Sequence, residues 1–189
     1  MSVRSGQPWP PATDTPSFTI RRADPHDLAA IVSIYNQAVD DRNSTCDLSG
    51  FTPEQRQDWF QRHTDPFGIW VAQAPSNVIG WVSLSPFVDK LCFNRTAMSA
   101  TYVDRAHRGR GVGKKLRHYL IVRAREHGFH SVVARLWSTN EASIHLSEQL
   151  GYQLAGRLKE AVWVDGEMLD VLFYQKVLDD GPRPDRPCR

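Results

Sequence analysis

A mixed α/β domain with a mostly antiparallel central sheet is the fold class that the sequence predicts, and three stretches predict it. Residues 69–72 and 78–84 flank Pro75-Ser76-Asn77, and residues 162–164 and 168–174 flank Asp165-Gly166; both are hairpin signatures, apolar runs joined by turn residues. Between them, residues 99–103 read as a strand running into Arg108-Gly109-Arg110-Gly111-Val112-Gly113, after which Val112, Leu116, Tyr119, Leu120 and Ala124 recur at helical spacing up to Gly128. A strand, a glycine turn and a helix thus lie between two hairpins.

The remaining elements follow in order. Residues 18–22 alternate as a strand, and Asp24-Pro25 opens a helix with Leu28, Ile31, Val32 and Tyr35 on one face, ending before Asp40. A polar loop runs through residues 40–47, and a second helix is expected over 53–63 with Trp59 and Phe60 as buried anchors. Residues 96–103 form the strand before the glycine turn, 131–137 the strand after the central helix, and 141–150 a short helix closed by Gly151. The layout is a central antiparallel meander with helices inserted.

With 189 residues, 41% of them hydrophobic and 23% charged, the chain has a core for one domain, expected over 17–178. Residues 1–16, rich in proline and small polar residues, read as a disordered tail without the apolar centre of a secretion signal, and 179–189, with three prolines, as a flexible one. A formal charge of +2 and the lack of a run of about 18 apolar residues point away from nucleic acid and membrane as partners. Cys46, Cys92 and Cys188 are too few and too scattered for a disulfide framework or a zinc site, so no metal is expected and the default setting is reducing and cytoplasmic.

The glycine turn is the centre of the functional reading. A helix N-terminus has backbone N–H groups without intrahelical partners and a partial positive charge. Glycines let a ligand approach the backbone closely. Arg108, Arg110, Lys114 and Lys115 add full charges there, so the turn suits a pyrophosphate. Basic glycine loops also occur without a ligand, and this segment alone leaves the two readings open. A Walker A loop is excluded by the missing Gly-Lys-Ser/Thr ending, and a dinucleotide fold loses ground because Val132-Val133-Ala134-Arg135 offers no carboxylate for a ribose.

Together these residues resemble the GNAT superfamily of acetyltransferases, over residues 18–178. Arg108, Gly111 and Gly113 match its Gln/Arg-x-x-Gly-x-Gly/Ala signature, Asn140 the asparagine that opens the next helix, and Gly151-Tyr152 the glycine and aromatic at its end. Within it, Ile20-Arg21-Arg22-Ala23, Tyr102-Val103, the segment from Asn140 to Tyr152 and the closing hairpin are similar to the phosphinothricin acetyltransferase branch, which acetylates amino groups of small amino-acid-like compounds. The resemblance implies the acyl-CoA N-acyltransferase fold, with helices on both faces of the sheet, and acetyl-CoA as cosubstrate, released as coenzyme A. The pyrophosphate would lie on the backbone of Arg108, Gly109, Arg110, Gly111, Val112 and Gly113, with Lys114 or Lys115 at the outer phosphates. The pantetheine arm would pair with Thr101, Tyr102 and Val103 and meet Asn140, with Ser143 on the same helix face.

The catalytic set departs from the branch at two positions. Met98 stands where a glutamate usually takes the amine's proton, and Ser147 where a tyrosine or histidine protonates the departing thiolate. The backbone N–H near Val103 is the candidate for polarising the acetyl carbonyl. Asp47, Asp104 or the Tyr102 hydroxyl, reached through water, are the candidates to replace the glutamate, unless the acceptor amine arrives already neutral. Cys46 has no base beside it, His145 points off the Asn140, Ser143 and Ser147 face, and His107 and His118 flank the glycine turn as solvated or phosphate-adjacent groups. Trp81, Trp137 and Trp163 are expected in the core or in the pocket wall.

The acceptor pocket is expected from the loop at 43–47, the strand around Met98 and the hairpin at 162–168. Asp40, Asp41 and Asp47 suit a cationic amine there, and Arg42 or Arg95 a carboxylate. A small-molecule N-acetyltransferase is the leading reading, with a catalytically silent acyl-CoA-binding protein and a protein N-acetyltransferase as alternatives. A nucleic-acid binder using Arg105, Arg108, Arg110, Lys114, Lys115 and Arg117 conflicts with the near-neutral charge. The apolar run 171–174, with the pairing of relatives through their closing strands, leaves a homodimer open.

Overall fold

The computed structural model describes residues 17–45 and 47–178. The tails expected at 1–16 and 179–189, and Cys46, lie outside the described residues. Along the chain come β1 (Thr19–Arg22), α1 (Leu28–Asp40), α2 (Pro53–Gln61), β2 (Gly68–Gln73), β3 (Val78–Pro86), β4 (Thr96–Val103), α3 (Val112–Glu126), β5 (Ser131–Trp137), α4 (Glu141–Gln149), β6 (Gln153–Val164) and β7 (Glu167–Val177). The strands form one sheet in the order β1-β2-β3-β4-β5-β7-β6.

Local chemistry sets the helix starts. Asp24 accepts from His26 N–H while the Asp27 carboxylate accepts from Asp24 N–H, and Pro25 supplies a preset φ; α1 follows directly. Thr52 and Gln55 make the same reciprocal cap ahead of α2, again with a proline at the first position. The buried stripe of α1, led by Ile31 and Ile34, packs on Ile69, Val71 and Trp81 from one face of the sheet. On the other face α3 sets Val112, Leu116, Leu120 and Ala124 against Trp70, Ile79, Val82 and Leu84, and Ile144 and Leu150 add the region of α4 to the same cluster. Covered on both sides, β2 and β3 are buried along nearly their whole length.

Four features differ from the sequence expectation. The antiparallel meander ends at β4, because the chain crosses through α3 and β5 then pairs with β4 in parallel. Trp59 and Phe60 are half-buried rather than enclosed, since α2 covers the rim of the α1 cluster and buries no residue fully. Strand β6 begins already at Gln153, as an exposed edge strand with little alternation to reveal it. The β6–β7 turn carries Trp163 out to 66% exposure, so it belongs to neither core nor pocket wall.

The β4–β5 pairing is short. Only Thr96 to Ser99 pair with Ser131 to Ala134, after which the two strands part. Both stay anchored on their other sides, β4 on β3 through Val103 and β5 on β7 through Trp137. The parted strands leave a wedge in the middle of the sheet.

Because Leu120 is completely buried between α3 and the sheet, Leu120→Ala is expected to cost about 2–5 kcal/mol of stability. A urea unfolding midpoint compared with wild type checks this, and a cost below about 1 kcal/mol would contradict the packing described.

Candidate active site

A cavity of about 610 Å³ crosses the sheet through this wedge. Tyr35, Trp81 and Tyr102 line it on the α1 face, Thr101, Arg117 and Ser143 on the α3 face. The alternation of β4 explains how one strand serves both. Met98, Ala100 and Tyr102 turn to the α1 side, whereas Thr101 meets Arg117 and Val103 packs on Gly113, both of α3. The backbone alternates too: Asp104 N–H donates to Ile79 O on β3, which directs the N–H and C=O of Val103 to the opposite, open edge.

At one mouth of the wedge lies the glycine turn. Gly109 and Gly111 have φ of 74° and 80°, a region that favours glycine, and Gly111 caps α3 with no side-chain hydrogen bond. The first N–H groups of a 15-residue helix are thereby left to a ligand or to water. The basic residues around this point divide by partner. Arg108 pairs with Asp41 at 2.5 Å and donates from Nε to Val103 O at 3.1 Å, while Arg105 also pairs with Asp41 at 2.5 Å. The Arg108 guanidinium thus holds the turn to α1 and β4, and its backbone is the part left for an anion. Arg110 and Lys114 are exposed and carry no ion pair among the described residues, and Lys115 lies over the Phe18 ring at 5.0 Å.

At the other mouth, Asp47 accepts from the Tyr35 hydroxyl and lies 3.6 Å from Arg56. Arg56 itself covers the rings of Phe51, Tyr35 and Trp59. Of the three groups considered for the amine's proton, Asp47 alone is placed for it. Asp104 is outside the cavity, held by Gln37, His107 and Ala106 N–H. Tyr102 reaches the cavity, but burial, with the nearby Tyr35, pushes its phenol well above the ordinary value, so it does not become a base. Met98 lines the wall and accepts no proton.

The α4 side departs further from expectation. Asn140 caps α4 by accepting from Ser143 N–H at 3.1 Å, and its amide donates to Asn43 O at 3.2 Å, so its side chain already ties α4 to the loop after α1. Ser147 is fully buried and away from the cavity wall. Its hydroxyl donates to Ser143 O at 2.7 Å and accepts from Arg117 Nη1 at 2.6 Å, so no proton is left for a leaving group. Asn140 and Ser143 do line the cavity.

Several cavity residues carried no local sequence signal, namely Tyr35, Arg56, His63, Arg117 and Arg135. Arg56 and Arg135 line the cavity together with Arg117, whereas Arg42, Arg95, Asp40 and Asp41 do not. His63 stacks on Trp59, and burial keeps its ring below the usual pKa; its Nε2 is enclosed, so it serves as wall. Trp81 belongs to the core, its Nε1–H donating to Ile31 O at 3.1 Å, and to the cavity wall as well, as does the buried Trp137. Among the described residues, no cluster of three or more His, Cys, Asp or Glu suits a metal ion, and no helix is long and apolar enough to cross a membrane.

Comparison with known proteins places this geometry. Residues 31–152 match the model of the acetyltransferase (GNAT) family. The chain is 34% identical to the L-methionine sulfoximine/L-methionine sulfone acetyltransferase of Salmonella typhimurium, over 89% of this chain and 99% of that protein. It is 32% identical to the phosphinothricin N-acetyltransferase of Streptomyces viridochromogenes, over 90% and 92%. Among solved structures, the phosphinothricin acetyltransferase of Sinorhizobium meliloti in complex with acetyl-CoA superposes with a TM-score of 0.83 at 28% identity, covering 87% of this chain and 90% of that one.

The Asp41 clamp makes a pH prediction. Burial alone would raise the Asp41 pKa, but the hydrogen bonds and charges of Arg108 and Arg105 outweigh it and hold the carboxylate below its ordinary value. A carboxylate depressed in the folded state adds stability above its unfolded pKa of about 3.9, lost as the pH falls through the lower folded value. Asp41→Asn is therefore expected to cost roughly 1–3 kcal/mol at pH 7, with the difference from wild type shrinking below about pH 4. Chemical unfolding at both pH values checks this; an equal difference at both would contradict it.

Proposed function

The chain belongs to the acetyltransferase (GNAT) family, and from that premise we propose that it transfers the acetyl group of acetyl-CoA directly to the amine of a small amino-acid-like molecule. The observation that carries this reading is a cavity through the parted strands with the Asp47 carboxylate in its wall, beside a strand, β4, whose far end leads into the uncapped N-terminus of α3. Attack by the amine needs both reactants held in line, and alignment alone supplies up to about 7–11 kcal/mol of the barrier.

The residues present fit the cosubstrate. The unblocked N-terminus of α3, opened by Gly109 and Gly111, suits a pyrophosphate, with Arg110 and Lys114 at hand for further phosphates. The open edge of β4 from Thr101 to Val103 offers an amide-containing arm the hydrogen bonds that β5 no longer takes. Acetyl-CoA supplies an acyl group activated as a thioester. Val103 N–H, on that edge, is the donor for the carbonyl oxygen as it gains charge. Asp47, steadied by Tyr35, takes the proton of the amine directly or through water and replaces the glutamate that Met98 cannot mimic.

The acceptor reading rests on the same mouth. Arg56 and Arg135 offer guanidinium forks to a carboxylate and Asp47 meets the amine, an arrangement that suits a free amino acid or a close analogue. The relatives named for L-methionine sulfoximine, L-methionine sulfone and phosphinothricin support the class. A cytoplasmic setting belongs to this reading. Leu154, Leu158, Trp163 and Met168 expose a large apolar surface on β6 and β7, which a second copy of the chain would cover.

Mass spectrometry of protein, acetyl-CoA and a panel of amino acids, their sulfoximine and phosphinate analogues and simple amines tests the assignment. Acetylated product from amino-acid-like amines is expected; a blank panel despite bound acetyl-CoA would overturn it. Asp47→Asn is expected to lower kcat by about 10²-fold or more, and an unchanged kcat would remove Asp47 from the role. Light scattering on a sizing column is expected to report two chains per particle, with a monomer contradicting the pairing.

A further inference from the structure

Acetyl transfer leaves an electron pair on sulfur, and Ser147 has no proton to give it. What stands beside Ser147 is Arg117. This arginine of α3 is 6% exposed and lines the cavity, yet no carboxylate lies within ion-pair distance of it among the described residues. Its guanidinium touches only neutral oxygens: Nε is 3.4 Å from Thr101 Oγ1, and Nη1 is 3.4 Å from Ser143 O and 2.6 Å from Ser147 Oγ. Nη2 makes no hydrogen bond to any described residue.

Such an arrangement is costly. Taking a guanidinium out of water carries a penalty of several kcal/mol, normally offset by an anion. Burial does push the Arg117 pKa down, but arginine keeps its proton in proteins. The buried Tyr152 phenol, which contacts Ser99 and feels the Arg117 charge, is itself raised by burial and remains neutral. A merely structural residue here would be served better by an apolar side chain of the same length. The cation is therefore placed for a negative charge that the folded chain does not contain.

Its location says which charge. The vertex where β4 and β5 part lies just past Ser99 and Ala134, and a cosubstrate arm that started at the glycine turn would run back along the open edge of β4 toward it. Thr101, which Arg117 contacts, lies on β4 two residues beyond that vertex, and in the reading above the acceptor would enter from the side of Asp47.

We propose that Arg117 carries the negative charge of the departing coenzyme A thiolate, anchored for that purpose by Ser147 and Thr101. The proposal rests on the acetyl-transfer reading above. As the amine nitrogen forms the C–N bond, the C–S bond breaks and its electron pair passes to sulfur. The amine's proton leaves by way of Asp47 and water. Arg117 donates hydrogen bonds to the thiolate and transfers no proton; solvent protonates the thiol after release. The pair Arg117 and Ser147 thus does by charge what an acidic side chain on α4 does by proton transfer.

The test is the ionisation of the coenzyme A thiol while bound, read from the ultraviolet absorbance of the thiolate as pH is raised, with free coenzyme A titrated beside it. Tyr35, Asp47, Arg56, His63, Tyr102 and Arg135 also line this space and Tyr152 lies within reach of the Arg117 charge, so each variant is compared with wild type over the same range. In wild type the bound thiol is expected to ionise about one pH unit or more below free coenzyme A. Arg117→Met is expected to abolish that displacement and Arg117→Lys to keep part of it, with kcat falling about 10²-fold in Arg117→Met and the KM for acetyl-CoA within about threefold. Equal thiol ionisation in wild type and Arg117→Met would overturn the proposal. If Arg117→Met does not fold, an Arg117→Lys protein whose bound thiol titrates like free coenzyme A would do the same. Failure of wild type to bind coenzyme A would remove the acetyl-transfer reading itself, whereas binding with normal thiol ionisation would remove only the role of Arg117.

Discussion

The parting of β4 and β5 is the constraint on which the rest of the molecule depends. Inside a sheet a strand without its neighbour has unpaired N–H and C=O groups, and these are expensive to bury. Here the ladder stops after four residue pairs, in the centre of a seven-stranded sheet rather than at an edge. The chain meets part of the cost itself, since Arg108 donates to the carbonyl of Val103. The rest of the open edge of β4 is free to pair with an extended, amide-bearing ligand, as proposed above. The cavity, its two mouths and the placement of side chains from both faces all follow from that one interruption.

Rigid surroundings keep the wedge from closing. Strand β4 is paired with β3 from Ala97 to Val103, and β5 with β7 along its whole length. Helix α3 packs its buried stripe across β2 and β3, and its N-terminus is fixed by Gly111 and by the Arg108 clamp on Asp41. The glycine turn is thus held at a constant distance from the strand edge. Such preorganisation matters for a reaction whose barrier is lowered mostly by alignment and by dipoles already in place.

The basic residues show how partners, more than charge, decide a role. Arg105 and Arg108 are neutralised by Asp41 and act as struts. Arg110 and Lys114 point to water beside the helix N-terminus, where an anion would find them. Arg117, three residues after Lys114, is buried among neutral oxygens. Read along the chain, all five look alike. Asn140 and Ser147 make the same point from the polar side: both stand at positions that the resemblance marks for the ligand, and in the fold Asn140 caps α4 and bonds a loop while still lining the cavity, whereas Ser147 is taken up by Arg117 away from it.

The sequence by itself determined the fold class, the two hairpins, the helix starts at Pro25 and Pro53, the strands over 96–103 and 131–137, and the glycine turn that opens the central helix. These depend on periodicity, caps and turn residues, which act within a few positions along the chain. Long-range pairing was beyond that reach. Arg108 meets Asp41 across 67 residues and Ser147 meets Arg117 across 30, and no local pattern records either. Periodicity also places an arginine at the solvent side by default, so the burial of Arg117 was invisible until α4 closed over it. Trp163 erred in the opposite sense, an aromatic expected inside and carried into solvent by the tip of a hairpin. Only the tertiary structure decided which charges are spent, which remain and what they face, because burial and ion pairing belong to the packed chain and not to its segments.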